Sequence, residues 1–262
     1  MGDPRSNRSP EGLKRAAAER AVEGYVESGM VVGLGTGSTA AFVVRRVGEL
    51  IAGVELTDIR GIATSERTAA LAREVGIPLL TLSEARPAVT IDGADEIGTS
   101  LALIKGRGGA LMREKIVAHA SGAGALVVVA DGSKLVNSLG EGPLPVEVEP
   151  FGWEATLESL ASLGCEPELR VDGSDSRTAF VTDGGHYTAD CLFPSISDPA
   201  ALEAEIRRIP GALESGLFVG LSRAAVVARG AEWRLSVPSR RLLRTPRGCR
   251  GRYVPSRRRA CR

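Results

Sequence analysis

The sequence is poor in the residues that most often bind metals or form cross-links. Aromatic residues make up 4% of it, and histidine occurs only twice, at His119 and His186, far apart in the chain. Neither position shows a ligand pattern, so ordinary structural roles are expected for both. The four cysteines form no CxxC pair and no zinc-ligand spacing, which favours unpaired thiols in a reducing compartment; they are Cys165, Cys191, Cys249 and Cys261.

Long apolar runs are also missing. No stretch of about 18 apolar residues occurs, so a transmembrane helix is not expected. The amino terminus, MGDPRSNRSPEG, is polar and does not resemble a secretory signal, so the expected location is cytoplasmic. The 262 residues are 43% hydrophobic and 25% charged, with a mean hydropathy of +0.02. These values are typical of one large globular domain, or of a large domain with a smaller insert.

Lysine is missing from the carboxyl-terminal end, where arginine is abundant. From Arg229 onwards there are twelve arginines and one acid, Glu232, so this end carries +11 and residues 1–228 carry −10. An acidic body argues against nucleic acid as the main partner, because binding to phosphate backbones depends on clustered basic charge. The basic tail, residues 231–262, is predicted to be disordered, and nucleic acid could be bound only there.

The first half of the chain alternates predicted strands with predicted helices. A helix over residues 11–28 precedes the strand MVVGLG, and a glycine loop then leads into a helix for which Thr36 or Ser38 is the expected cap. Further predicted strands are LTDIRGIATS, IPLLTL, AVTIDGADE and ALVVVAD, separated by the helices SERTAALAREVG and ALMREKIVAHASG. This alternation predicts a doubly wound, Rossmann-like α/β core with a mostly parallel sheet.

The rhythm changes after Pro143. A strand bounded by prolines is followed by a helix, two strands with a turn at Asp183-Gly184-Gly185, and another helix. This order predicts a small α+β domain over residues 143–217. Residues 1–142 and 218–230 are then expected to form the larger domain, because GLFVGLSRAAVVA has the pattern of a strand that returns to it.

A glycine-rich loop, residues 33–39, lies between a predicted strand and a predicted helix. At such a position unpaired backbone N–H groups and the helix dipole favour an anion, and glycines allow its close approach. The loop is not a complete dinucleotide fingerprint, since Ser38 replaces the third glycine, and it is not a P-loop. A monophosphate is therefore the preferred ligand, and a loop needed only for tight packing is the alternative.

Acidic residues gather around one lysine in the stretch IDGADEIGTSLALIKGRGGALMREK, residues 91–115. Asp92 and Asp95 follow a predicted strand, at the edge where open α/β sheets bind ligands. Crowded carboxylates repel each other, so at least one is expected to hold its proton more tightly, as general acids and bases do. Lys105 could balance this repulsion and stabilise an oxyanion. Glu114, near the start of the next helix, could equally be a solvated surface residue.

Several motifs in collinear order closely resemble ribose-5-phosphate isomerase of the type A family, over about residues 11–228. They are VVGLGTGSTA (31–40), TSERTAALAREVGIPLLTL (64–82), IDGADEI (91–97), LIKGRGGALMREKIVA (103–118), VADGSKLV (129–136) and PLPVEVEPFGW (143–153). The resemblance implies interconversion of D-ribose 5-phosphate and D-ribulose 5-phosphate through an enediolate, in the non-oxidative pentose phosphate pathway. It also implies no metal, no organic cofactor, and a homodimer or homotetramer.

The resemblance also implies a role for each matching residue. Glu114 corresponds to the base that moves a proton between C1 and C2, and Asp92 to the acid that helps to open the furanose ring. Asp95 and Lys105 correspond to groups that bind the sugar hydroxyls and the enediolate oxygens. The remaining substrate contacts implied are the phosphate loop Thr36, Gly37, Ser38 and Thr39, the backbone-rich positions Gly93, Ala94, Gly106, Arg107 and Gly108, and the lysines Lys134 and Lys14.

Two features depart from the family pattern. Arg107 interrupts the run KGRGG where a further glycine is frequent, so its side chain should either turn away from the sugar, which we favour, or help to hold it. The arginine-rich end has no counterpart in the family, and it is interpreted either as a frameshifted or extended reading frame or as an RNA- or acid-binding arm. Intact mass and limited proteolysis of the native protein separate these two, since a native chain without this end excludes the arm.

The sequence disfavours two other functions and a metal site. A sugar-phosphate-sensing regulator would need a DNA-binding domain, but only about thirty residues precede the first strand. A nucleotide-binding oxidoreductase is disfavoured by the incomplete fingerprint. A metal site on Asp92, Asp95 and Glu96 would lack a histidine ligand. The sequence therefore favours a metal-free sugar-phosphate isomerase.

Overall fold

The computed structural model of the protein describes residues 9–122, 124–173, 175–229 and 232–236. Its helices are α1 (Pro10–Tyr25), α2 (Ser38–Ala52), α3 (Glu66–Glu74), α4 (Leu111–Ala120), α5 (Trp153–Ala161) and α6 (Pro199–Ile206). Its strands are β1 (Val31–Leu34), β2 (Arg60–Ala63), β3 (Val89–Gly93), β4 (Glu96–Ile97), β5 (Leu103–Ile104), β6 (Leu126–Asp131), β7 (Leu144–Val148), β8 (Glu166–Leu169), β9 (Val171–Asp172), β10 (Asp175–Ala179), β11 (Tyr187–Leu192), β12 (Ala212–Ser215), β13 (Leu217–Phe218), β14 (Ser222–Arg229) and β15 (Glu232–Ser236).

The central sheet has the strand order β15-β14-β6-β3-β1-β2. All neighbours are parallel except β15, which pairs antiparallel with β14. Alternate residues of β6 enter opposite cores: Val127 and Val129 pack in the cluster that contains α1 and α2 residues, whereas Val128 packs in the cluster that contains Ala118 of α4. Both faces of the sheet are therefore covered by helices, which confirms the predicted doubly wound α/β fold.

Serine caps begin two of the helices. The Ser9 hydroxyl accepts a hydrogen bond from Gly12 N–H at the start of α1, and that of Ser65 accepts one from Thr68 N–H at the start of α3. The prediction that Thr36 or Ser38 caps α2 is wrong. Gly37 is the N-cap, with φ of 116° and no side-chain cap. The first N–H groups of α2 therefore lack a side-chain acceptor at the cap position.

Two further predictions differ from the structure. IPLLTL forms a single parallel bridge between Gly61 and Leu79 rather than a strand, because Pro78 has no N–H to extend the ladder. The tail that was expected to be disordered from residue 231 begins with β15, since the alternating sequence EWRLS pairs with the open side of β14. The rest of the arginine-rich end, residues 237–262, lies outside the described residues, so its two interpretations stay hypotheses.

Residues of the second half form an antiparallel sheet in the order β12-β7-β11-β8. One face buries apolar residues of α5 and α6, among them Leu160 and Ile206. A three-stranded sheet in the order β13-β5-β4 joins this unit to the acidic turn after β3. The return of the chain through β14 to the central sheet agrees with the expected course, while the domain limits 1–142, 143–217 and 218–230 stay predictions. Within the described residues, no helix has both the length and the apolar character to cross a membrane.

Candidate active site

The ends of β1 and β3 place the first glycine loop against the acidic turn. The two strands are parallel neighbours, with Leu34 opposite Ile91. A Cβ on Gly35 would lie 2.1 Å from Oδ1 of Asp92, so a residue with a side chain cannot occupy this position without moving the carboxylate. Thr36 N–H donates to the same oxygen at 3.1 Å. Glycine at position 35 is therefore required for close packing against Asp92, whether or not the loop also binds a ligand.

Lys105 brings a positive charge to Asp92 from the loop after β5. Its N–H donates to Gly216 O at 2.9 Å, which fixes the backbone of the loop. Its Nζ lies 3.0 Å from Oδ2 of Asp92 and 3.4 Å from Oε2 of Glu114. The same Nζ donates to Gly93 O at 2.6 Å. One ammonium group is thus shared by two carboxylates and a carbonyl.

Glu114 lies in the first turn of α4, which aims its carboxylate at Lys105. The exposed fractions are 4% for Glu114, 2% for Lys105 and 1% for Asp92, so the alternative of a solvated Glu114 is wrong. Oδ2 of Asp92 and Oε2 of Glu114 have no other hydrogen-bond donor in the described part of the chain. A buried charge is costly without a partner, so this cluster depends on the lysine.

Burial changes the proton affinity of all three groups. It raises the pKa of Glu114 from 4.5 to about 8, with a further increase from the charge of Asp92 and an opposing effect of Lys105. Burial also raises the pKa of Asp92, although Lys105 and the N–H groups of Gly93 and Thr36 oppose it. Burial would lower the pKa of Lys105, but Asp92 and Glu114 raise it above its ordinary value. We therefore expect a charged Lys105 and, near neutral pH, a proton on Glu114, because Asp92 has more donors around it.

A second group of cations lies at the start of α2. Lys14 Nζ donates to Ser38 Oγ at 3.0 Å. Lys14 and Lys134 line the same cavity of about 630 Å³, together with Asp131 and Arg229. Burial opposes ionisation of Asp131, but hydrogen bonds from Ser133 and the charges of Lys134 and Lys14 lower its pKa. This arrangement of two lysines beside a helix start suits a dianionic group.

Comparison with known proteins identifies the family of the chain. Residues 60–232 match the family described as ribose 5-phosphate isomerase A (phosphoriboisomerase A). A ribose-5-phosphate isomerase A of Gloeobacter violaceus is 57% identical over 220 residues, which are 82% of this chain and 92% of the relative. That of Roseiflexus castenholzii is 52% identical over 218 residues, 82% of this chain and 91% of the relative.

The chain belongs to the ribose 5-phosphate isomerase A family. Solved structures agree with the sequence matches. The Methanocaldococcus jannaschii enzyme superposes with a TM-score of 0.82 at 40% identity, covering 87% of this chain and 100% of the other. A D-ribose-5-phosphate isomerase in complex with phospho-erythronic acid gives a TM-score of 0.83 at 37% identity, covering 87% of this chain and 99% of the other. The family resemblance seen in the motifs is thereby confirmed.

Asp95 and Arg107 meet beside the cluster of Asp92, Lys105 and Glu114. Arg107 N–H donates to Oδ2 of Asp95 at 2.9 Å. The Arg107 guanidinium is directed at Glu96, with Nη2 2.7 Å from Oε1. This contact with Glu96 is the one expected if the side chain turns away from the sugar, and the substrate contact of Arg107 stays a prediction.

Thr36 was predicted to contact the phosphate, but its side chain is hydrogen-bonded within the protein. Its side chain is buried, and its Oγ1 lies 2.7 Å from Thr64 Oγ1, 2.8 Å from Ser65 Oγ and 3.1 Å from Thr68 Oγ1. Its N–H is used by Asp92. Because both donors of Thr36 are engaged within the protein, we revise its role to holding the loop. Gly37, Ser38 and Thr39 are left at the helix start.

The small residues predicted to contact substrate surround the lysine. Gly93 provides the carbonyl that accepts from Lys105 and is followed by the half-buried Ala94. Gly106 has φ of 105°, and a Cβ there would lie 2.6 Å from Leu111, so glycine is required at the bend after Lys105. Gly108 is exposed near the guanidinium of Arg67. These positions bring backbone rather than side chains to the site, and their substrate contacts stay predictions.

Glu96 supports the site in a way that its position in the sequence does not indicate. Glu96 was considered only as a metal ligand, yet its carboxylate accepts from Gly140 N–H and Gly142 N–H, each at 2.8 Å, as well as from Arg107. Among the described residues, no cluster of histidine, cysteine and acidic side chains has the arrangement of a metal site. The acidic stretch contains Glu96, but no sequence signal shows that it faces a loop more than forty positions away.

The two histidines and Lys115 make their contacts outside the cluster of Asp92, Lys105 and Glu114. His186 Nδ1 lies 2.9 Å from Oε1 of the buried Glu147, in the small sheet. His119 lines a cavity of about 800 Å³ on the opposite side of α4 from Glu114, together with Lys115. Lys115 Nζ lies 2.8 Å from Glu203 and 2.7 Å from Glu214, and thereby ties α4 to α6 and β12.

Proposed function

We propose that this chain interconverts D-ribose 5-phosphate and D-ribulose 5-phosphate, with Glu114 as the base that carries the proton between C2 and C1. The observation that carries the proposal is the buried carboxylate of Glu114 facing Lys105 at 3.4 Å, with Asp92 on the other side of the same ammonium group at 3.0 Å. Membership of the isomerase family supports it independently.

The reaction needs a base beside carbon and a cation beside oxygen. Removal of the C2 proton of the open-chain aldose leaves its electron pair in the C1–C2 double bond, and the former carbonyl oxygen becomes negative. Lys105 is placed to stabilise that oxygen, because its charge is held within a water-poor site. Return of the same proton from Glu114 to C1, with transfer of the proton on the C2 hydroxyl to the negative oxygen on C1, completes the ketose.

Asp92 and Asp95 are proposed to act on the hydroxyl groups. Opening of the furanose ring removes a proton from the hydroxyl on C1 and delivers one to the ring oxygen, and Asp92 is proposed to exchange a proton in this step. Asp95 would accept hydrogen bonds from sugar hydroxyls while Arg107 N–H holds its other side. Both carboxylates lie within the group of charges around Lys105, which supports these roles.

The phosphate is proposed to bind at the start of α2. Gly37 leaves the first N–H groups of the helix without a side-chain acceptor at the cap, and Lys14 reaches this point through its bond to Ser38. Lys134 adds charge from the other wall of the same cavity. Anchoring the phosphate here would fix the sugar relative to Glu114, and such positioning is a large part of catalysis.

The direct test is an assay that couples formation of ribulose 5-phosphate from ribose 5-phosphate to an optical signal, run with and without EDTA. We expect equal rates in both, because the charges that stabilise the enediolate come from the chain itself. Loss of the rate with EDTA and its return with a divalent cation would overturn the metal-free mechanism. A chain inactive under all conditions would overturn the proposed function.

The raised pKa of Glu114 predicts the pH profile. A base works only when ionised, so kcat/KM should increase as pH rises towards about 8 and level off above it. The substrate phosphate titrates near pH 6, so the informative range begins at about pH 6.5. Initial rates at low substrate concentration measure this limb. A profile that is flat from about pH 6.5 to 9 would mean that Glu114 is already ionised and would contradict its raised pKa.

Two finer properties are proposed from the family resemblance. A homodimer or homotetramer is one, supported by exposed apolar side chains such as Phe151, which is 90% exposed. Analytical ultracentrifugation would detect a monomer if this is wrong. A cytoplasmic location is the other, and fractionation of cells that express the full chain would test it.

A further inference from the structure

One peptide unit in the glycine-rich loop is bound at both of its ends. The N–H of the Gly106–Arg107 peptide, which belongs to Arg107, donates to Oδ2 of Asp95 at 2.9 Å. The carbonyl of the same peptide, which belongs to Gly106, accepts from Nη1 of Arg170 at 3.0 Å. Arg170 Nη1 also lies 3.3 Å from Arg107 O. The peptide therefore connects the guanidinium of Arg170 to the carboxylate of Asp95.

Arg170 is itself held in a defined orientation. It lies between β8 and β9, and its Nε donates to Oδ2 of Asp190 at 2.8 Å while Nη2 donates to Oδ1. This two-point contact fixes the plane of the guanidinium and leaves Nη1 directed at the loop. Because its nitrogens bind Asp190 and backbone carbonyls, Arg170 is placed to orient the loop rather than to contact substrate.

Phe180 also packs against the glycine-rich loop, at Gly109. Gly109 has φ of 78°, and a Cβ there would lie 2.3 Å from the Phe180 ring. The guanidinium carbon of Arg170 lies 5.8 Å from the centre of that ring. The loop contains three glycines, Gly106, Gly108 and Gly109, and such backbone loses much conformational freedom when ordered. The loop has an internal hydrogen bond, from Gly109 N–H to Gly106 O at 3.0 Å, and contacts from other segments add to it.

We propose that Arg170 is a positioning residue that holds Asp95 in its reactive orientation through the Gly106–Arg107 peptide. A carbonyl bound by a cation polarises its peptide and strengthens the hydrogen bond that the N–H donates. One oxygen of Asp95 is then bound by this N–H, and we assign the other to a sugar hydroxyl. The inference rests on the proposed function, because it assigns Asp95 to substrate.

A double-mutant cycle on the full chain tests this connection. Arg170→Met is expected to lower kcat/KM about tenfold, because the peptide whose N–H binds Asp95 is no longer held in place. In an Asp95→Asn background the same replacement should change kcat/KM less than about twofold, since the residue through which Arg170 acts has been disabled. In a Lys134→Met background, on the phosphate side, it should again cost the full factor. Equal losses in both backgrounds, or no loss in any, would overturn the proposal.

A second measurement is independent of catalysis. Hydrogen–deuterium exchange of peptides spanning residues 103–112 should be faster in Arg170→Met than in the unchanged chain, because the Arg107 N–H loses its fixed geometry. Arg170→Lys keeps the charge opposite Asp190 but cannot reach both partners, so it should show the same increase and replaces Arg170→Met if that variant fails to fold. Unchanged exchange would overturn the proposal, whereas an inactive unchanged chain with this exchange pattern would overturn only the isomerase function.

Discussion

Replacing Glu114 by Gln is expected to lower kcat by at least about 10²-fold, because a positioned base contributes roughly 10² to 10⁴-fold. Gln has nearly the same size and keeps the helix start, so the fold should be retained. Binding of ribose 5-phosphate should change little, since the phosphate and the hydroxyls are bound by other residues. Steady-state rates give kcat, and isothermal titration with ribose 5-phosphate gives the affinity.

The stability of the same variant gives an independent check. Glu114 has a folded pKa above its unfolded value, so its contribution to stability is present below about pH 4.5 and is lost as pH rises towards 8. The unchanged chain should therefore lose stability relative to Glu114→Gln over that range, by on the order of 1 to 3 kcal/mol, measured by urea unfolding. Glu74→Gln, at an exposed position of α3, serves as the control. It should change neither kcat nor the dependence of stability on pH. Near-normal turnover of Glu114→Gln would remove Glu114 as the base.

Replacing Lys105 by Met is expected to affect both activity and stability. The enediolate oxygen would lose its cation, and loss of one such group costs about 10² to 10³-fold in kcat. Asp92 and Glu114 would remain buried without their shared ammonium group. Removing one partner of a buried ion pair costs about 3 to 5 kcal/mol. Since Lys105 lowers the pKa of both carboxyls, its loss raises them further, and the destabilisation should be greater at pH 8 than at pH 5.

Lys115 provides a matched control for this variant. Its Nζ lies 5.1 Å from the centre of the Phe218 ring, and that of Lys105 lies 5.4 Å from it. Each lysine is buried and binds two carboxylates, but those of Lys115 are Glu203 and Glu214, outside the proposed site. Lys115→Met should therefore lose stability while keeping most of kcat in the folded protein. If Lys105→Met lost only stability and kept its turnover, Lys105 would be structural. If Lys105→Met does not fold, Lys105→Arg keeps the charge and tests the geometry.

The regular pattern of strands and helices allowed the fold class to be predicted. Five parallel strands and the helices between them follow hydrophobic periods that local sequence displays. Two errors depended on whether a segment finds hydrogen-bond partners in a neighbouring strand. Residues 77–82 look like a strand but make one bridge, because Pro78 has no N–H to extend the ladder. Residues 232–236 were assigned to a disordered tail but pair with β14.

The acidic turn, the lysine and the helix that carries Glu114 could be identified because they fall within one short stretch of sequence. Their chemical types, their order and the family motifs were sufficient to propose an isomerase. Side-chain direction could not be predicted in the same way. Thr36 faces Thr64, Ser65 and Thr68, and the guanidinium of Arg107 faces Glu96, although both residues lie within motifs.

The types and order of the reactive groups follow from the linear sequence, because strand ends and helix starts are encoded by neighbouring residues. The burial of these side chains, their protonation and their hydrogen-bond partners are decided by the tertiary structure. Glu114 acquires a pKa of about 8 only because packing removes water from a carboxyl that also faces Asp92 and Lys105. Arg170 reaches Gly106 across 64 positions of sequence. Such contacts depend on the relative placement of separate elements, which no local pattern contains.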